Sequence, residues 1–529
     1  MKLTLSKWLV VATGLIVLLP VLLTEMPPLL DYPNHLVRFW LLSGGAAVPP
    51  VSGFFRIDWS HTATNIGMDI VARVLGFIIP AEITGHIILG LSAILPPLGL
   101  VLVSRHLYGR MSWWHIWLCL TAWPMVLLTG FMSFQLALGA ALIAVWLDLS
   151  YYNQPWRMRL ARQSLQCLIV ILVHPFGALF YFILATALSL KDSFATLRDQ
   201  RLWPEVARHW AWNCLPFGIA AFLLGVRILL FGQADSGDGM PDLSWYDPAL
   251  KDLRPDHIFW SFIGPLRSYS LPIDLVFMGL LWLPVVVSGL QKRLVLHAGL
   301  VLIGSALFAI GLICPQGIGS TSMVDVRLLT MALLILPIAV FPQVHLGKGS
   351  SILLCSLALS VVGARSLWLE TVWQARQPDV QSLYRAMDQV PAGAKVLPLM
   401  EEADDDTAPV GRWLAGMTPT YEHLPTLAVM RRKAYVPTVF AEPGKQPITV
   451  LPPYDETHEV SGGLLGTPDD LRHENGDAAG YLPHWQAHFD YILLINADKE
   501  QKARGLDPHA CLVTDQGYAR LYRVAPNGC

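Results

Sequence analysis

Charged side chains are scarce in this sequence: Asp, Glu, Lys and Arg make up 14% of 529 residues, against about 25% in an average soluble domain. With 54% hydrophobic residues and a mean hydropathy of +0.47, that shortage excludes a chain solvated mainly by water. The net charge is −2 and neither terminus is a basic or acidic tail, so no nucleic-acid partner is expected. There is no Cys-x-x-Cys pair and no His/Cys spacing of the metal-site kind. There is also no internal repeat.

What is present is a series of apolar runs. Crossing the hydrocarbon takes roughly 20 apolar residues. Runs near or below that length lie at 8–24, 83–103, 114–128, 134–149, 165–174, 176–190, 210–231, 271–290, 295–314, 328–341 and 352–369. They predict about eleven spans. The first follows Lys2 and Lys7 without a small-residue cleavage site, so it reads as an uncleaved span. Nineteen Trp residues suit a chain with many membrane-interface positions.

With the N-terminus inside, the expected cytoplasmic segments are all basic: Arg105 with Arg110, the Arg157/Arg159/Arg162 group, four basic residues in 191–208, Lys292 with Arg293, and Lys348. The expected outer segments are 25–82, 232–270 and the tail 370–529. The second is acidic. In the tail, an amphipathic helix and several strands between Pro- and Gly-rich turns predict a separate α/β domain of about 150 residues. The fold class is therefore an α-helical polytopic membrane protein, residues 1–369, carrying a C-terminal extracytoplasmic α/β domain. Cys119, Cys167, Cys214 and Cys355 lie in apolar runs as small packing residues. Cys511 and Cys529 lie in the tail and could pair if it is extracytoplasmic.

Polar residues cluster in the first outer segment. A helix from Asp31 would place Asp31, Asn34, His35 and Arg38 on one face and Leu36, Val37, Phe39, Trp40 and Leu41 on the other. It would lie flat in the membrane interface, apolar side in lipid. A second helix would align Asn65, Asp69 and Arg73, and Arg56, Asp58 and His61 lie between the two. Plainer readings exist: Asp31 as a helix cap, Asp69 and Arg73 as an i,i+4 ion pair, and His35 as an interface residue without duty. Clustering of polar groups at bilayer depth favours function. Asp325 and Arg327 begin a later span on the same expected side, where a guanidinium can bind phosphate bidentately or simply snorkel. His174 and Arg227 lie near the outer ends of two other spans.

The layout, together with "DYPNHLVR" and "TNIGMDIVARVL", resembles the GT-C-fold glycosyltransferases and a bacterial group of GT-C-like membrane proteins. The resemblance implies a polyprenyl-phosphate or polyprenyl-diphosphate sugar donor and an acceptor that is a glycan, lipid or protein. Asp31 matches the loop-one acid, which would act with His35 beside it as an inverting enzyme's general base. Asn34, Arg38, Asp58, His61, Asn65, Asp69, His174, Arg227, Asp325 and Arg327 would bind substrate, with Arg327 on the lipid phosphate. Many relatives carry a second loop-one acid. Here it is either Asp58 or Asp69, which leaves a divalent metal (Mg or Mn) open. A soluble nucleotide-sugar enzyme is disfavoured, since no glycine-rich dinucleotide fingerprint occurs.

The expected location is the bacterial inner membrane, in contact with its lipids, and the absence of any Asn-x-Ser/Thr acceptor is consistent with it. A flippase or transporter of lipid-linked sugars is the alternative, but its charges should lie near the midplane in repeated halves. A non-catalytic envelope assembly protein, with the outer domain as its docking module, is the third reading; the acidic stretch 401–406 in that domain reads as a solvated loop.

Overall fold

The computed structural model describes residues 2–60, 62–196, 203–231, 255–317, 322–343, 348–402, 408–499 and 505–529. In chain order the helices are α1 (Lys2–Leu23), α2 (Tyr32–Leu42), α3 (Gly67–Leu75), α4 (Ala81–Tyr108), α5 (Trp113–Trp117), α6 (Met125–Leu128), α7 (Met132–Ser150), α8 (Trp156–Val173) and α9 (Pro175–Thr196). They continue with α10 (Trp203–Phe231), α11 (Pro255–Ile263), α12 (Leu271–Leu290), α13 (Ala298–Ile313), α14 (Val324–Ile338), α15 (Lys348–Met387), and the short α16 (Leu427–Arg432), α17 (Pro468–Arg472) and α18 (Trp485–His488). Two compact units result: Met1–Pro20 with Leu89–Leu369, and Val21–Ile88 with Glu370–Cys529. Residues 25–82, expected to be a loop of the membrane portion, thus fold with the C-terminal residues.

The helices α4, α7 and α12 are long and apolar enough to cross a membrane, as is 349–387 within α15. Shorter apolar helices cover Trp8–Leu23, Pro175–Leu190, Trp210–Val226 and Ala298–Ile313. The run 114–128 does not form one helix. It is divided between α5, a 3-10 turn and α6, with Pro124 in extended backbone ahead of α6. Proline has no N–H and its ring crowds the preceding helical turn, which favours a break at this point, although α4 continues through Pro96 and Pro97. The α4–α7 packing depends on two glycines. A Cβ on Gly99 would lie 2.5 Å from Leu142, and one on Gly139 would lie 2.6 Å from Leu95. Small residues at such crossings let membrane helices approach closely. In α14 every residue from Val324 to Ile335 is buried, and α13 packs along it.

The second unit is built on a four-stranded sheet in the order β4 (Val396–Met400), β8 (Tyr491–Ile495), β10 (Ala519–Val524), β9 (Ala510–Asp515). β4 and β8 are parallel, and the remaining pairs are antiparallel. The continuous apolar run of β8 is explained by its central place, buried from Ile492 to Ile495. The strand Phe55–Ile57 pairs antiparallel with Ile448–Val450. Beside it Phe54, Phe55, Tyr435, Tyr454 and His458 form one aromatic cluster. Burial holds the His458 imidazole well below its usual range, at about 4.

Cys511 of β9 is disulfide-bonded to Cys529, 18 residues on. Reducing this bond removes a loop constraint on the unfolded chain. On the chain-entropy account it lowers stability by about 3 kcal/mol, measured as a shift in denaturant midpoint between oxidised protein and the Cys511→Ser/Cys529→Ser variant.

Candidate functional site

The second unit brings together the first candidate helix and a stretch near residue 420. Asp31 stands at the N-cap of α2, yet its carboxylate makes no capping hydrogen bond. The plain capping role is therefore not what this side chain does. His423 Nε2 lies 3.5 Å from Asp31 Oδ1. His423 precedes the 3-10 turn Leu424–Thr426, against which α2 packs. Next to it, Glu422 is buried and accepts a hydrogen bond from the Leu465 N–H at 3.2 Å. Burial pushes the Glu422 carboxyl above its ordinary range, and the nearby Asp31 charge adds to the effect. His423 lowers it and the Leu465 bond does too, but burial dominates.

The other residues of the α2 face are committed to structure. Asn34 donates to the Thr438 carbonyl at 2.8 Å and accepts from the Phe440 N–H at 2.8 Å. The His35 ring stacks on Phe39 and meets the edge of Phe440. Arg38 Nε lies 2.8 Å from Asp69 Oδ1, both side chains wholly enclosed. Burial raises the Asp69 carboxyl while the Arg38 guanidinium pulls it back. Arg73 does not pair with Asp69. It donates to the Leu42 carbonyl at 2.6 Å, at the last residue of α2, where a cation suits the exposed carbonyls.

Two expectations about these helices change. α2 does not lay its apolar side in lipid, since all but one of its residues are buried among α3, α16 and the 3-10 turn. Asn65 is not on the face of α3. The helix starts at Gly67, and Asn65 takes a left-handed turn at φ 62° before it. Asp58 lies apart in a surface turn, where it accepts from the Ser60 N–H at 2.9 Å and faces Arg56 at 3.9 Å. His61 lies outside the described residues, as do 232–254 and 403–407.

The first unit holds a different cluster. Arg327, in the first turn of α14, donates from Nε to the Ser322 carbonyl at 3.1 Å. Its guanidinium sits over Phe131 at 4.2 Å, Phe134 at 5.2 Å and Phe176 at 5.6 Å. His174, between α8 and α9, touches Phe134 and Phe176 and accepts from the Phe176 N–H. Asp325 is buried in the same turn. Arg227 lies in α10, and its side chain is outside the described residues.

Among the described residues the donor set does not fit a resident divalent metal. Asp69 is spent on Arg38 and Asp58 on its own turn, and among the described residues no three His, Cys, Asp or Glu side chains gather for one. Sequence reasoning missed Glu422 and His423. Their one signal is an acid next to an imidazole in "TYEHLP", in a stretch without apolar periodicity.

An interrupted bundle of apolar helices joined to a sheet-containing C-terminal portion is the GT-C fold. Among solved structures the chain is similar to ArnT from Cupriavidus metallidurans in the apo state. Identity is 12%, the TM-score is 0.51, and the match covers 99% of this chain and 98% of that one. No protein-family model matches the sequence, and comparison with curated proteins finds no match.

Two outcomes are expected. Replacing Arg38 with Met, or Asp69 with Leu, strands the partner charge and costs about 3–5 kcal/mol, while the double replacement recovers most of it. Thermal unfolding of the full chain in detergent measures both. For Glu422 the folded form holds its proton to higher pH than the unfolded chain. Stability therefore falls as pH rises from the ordinary Glu value of 4.5 through the raised native one. Glu422→Gln flattens that slope in a pH series of unfolding curves.

Proposed function

We propose that this chain is a membrane glycosyltransferase that moves a sugar from a polyprenyl-phosphate or polyprenyl-diphosphate donor to an acceptor at the extracytoplasmic face of a bacterial inner membrane. The observation that carries the reading is the state of Asp31. Its carboxylate is at a helix N-terminus, uncapped, with 13% of the side chain open. Its neighbours on the same face are all engaged elsewhere. The GT-C fold shared with ArnT supports the class.

In this reading Asp31 accepts the proton of the acceptor hydroxyl as that oxygen attacks the anomeric carbon. The bond from oxygen to the anomeric carbon forms while the bond to the phosphate oxygen breaks, so configuration inverts. The leaving group departs as a polyprenyl phosphate or diphosphate carrying the negative charge. No step is assigned to a metal.

Asp31→Asn removes the proton acceptor and keeps the shape. Release of polyprenyl phosphate from a panel of synthetic short-chain polyprenyl-phosphate sugars, in proteoliposomes with glycan and lipid acceptors, should fall about 100- to 10,000-fold. Unchanged release by a well-folded variant sinks Asp31 as base. Movement of the lipid-linked sugar across the bilayer with no bond cleavage indicates a transporter instead.

A further inference from the structure

Asp31 is poorly oriented by its own helix. The N-cap position normally fixes a carboxylate through backbone N–H groups, and here no such bond forms. An acid used as a base must nevertheless hold one oxygen within hydrogen-bond reach of the incoming hydroxyl. Something else has to set its direction.

We propose that His423 is the positioning residue of the site: its Nε2 engages Asp31 Oδ1 and directs the second carboxylate oxygen at the acceptor hydroxyl. The inference rests on reading Asp31 as the base. Four observations support it. His423 Nε2 is 3.5 Å from Oδ1, while Nδ1 is buried without a described hydrogen-bond partner. The backbone at His423 is pinned, since its carbonyl accepts both the Thr426 N–H at 3.1 Å and the Thr426 hydroxyl at 2.7 Å.

The ring is walled by Phe440, edge-on with centroids 5.0 Å apart. Space for that contact exists because residue 462 is glycine at φ +86°, and a Cβ there would collide with Phe440 and lie 3.1 Å from His423 Cε1. Finally, Phe440 is held by the Asn34 side chain. Asn34 and Asp31 belong to the same short helical segment, so the path from Asn34 through Phe440 and His423 returns to the carboxylate it began beside. The polar face of α2 therefore divides its work: Asn34 holds the wall, the wall holds the histidine, and the histidine holds the base.

The test uses the full chain in proteoliposomes with two replacements. His423→Phe keeps an aromatic ring against Phe440 and removes the nitrogen. His423→Gln places an amide nitrogen at the reach of Nε2. kcat and KM are read separately with the synthetic polyprenyl-phosphate sugars, and thermal unfolding in detergent checks that each variant is folded. In His423→Phe kcat falls at least about tenfold at constant KM. In His423→Gln it returns towards wild type.

Equal kcat in wild type and a folded His423→Phe overturns the proposal, leaving His423 as packing. If His423→Phe melts below wild type, His423→Leu gives the same comparison, and a deficit that Gln does not repair also counts against positioning. Failure of the base reading looks different: Asp31→Asn then stays active while His423→Phe still loses kcat.

Discussion

The buried pair between Arg38 and Asp69 sets the terms for the second unit. Two charges removed from water cost several kcal/mol each, and only close mutual contact offsets this. The pair therefore fixes how α2 meets α3 within narrow limits. Once Arg38 is matched, Arg73 is released from its neighbour on α3 and reaches the last carbonyl of α2. The Ser43 hydroxyl closes the same corner, donating to Phe39 and reaching Ala72. Asp31 lies at the far end of the helix that this corner holds still.

Burial then sorts the polar residues by role. Arg38 and Asp69 are wholly enclosed, so they support the helix. Asn34 uses both ends of its amide on backbone groups, giving a bent segment the pairing that a strand would give. Asp31 alone on this face keeps an open carboxylate. The first unit shows a related arrangement at α14, where three rings lie against the Arg327 guanidinium while its Nε donates to the Ser322 carbonyl.

Periodicity in the sequence identified α2 and its one-sided set of polar residues, because residues three and four apart must share a helical face. It did not identify what covers that helix, since the cover is α16 and the turn at 424–426, nearly 400 residues away in sequence. An apolar face waiting for a distant protein partner and one waiting for lipid read alike. The same limit hid His423 and Glu422: they lie outside any regular element, and their meaning comes from the helix they meet. Asn65 failed for a local reason, its left-handed backbone preceding the first helical residue. Hydropathy found the long helices but read 114–128 as continuous because composition averages over the break at Pro124.

The Asn34 clamp has a consequence for how the chain is made. Its two backbone partners lie 404 and 406 residues downstream. At a synthesis rate of about 5–20 residues per second, α2 exists for roughly 20–80 seconds before Thr438 and Phe440 leave the ribosome. The ion pair with Asp69 is within reach almost at once, whereas the clamp must wait for every intervening helix. Early assembly of the α2–α3 corner keeps a charged helix presentable during that interval, and the residues that complete the site arrive last.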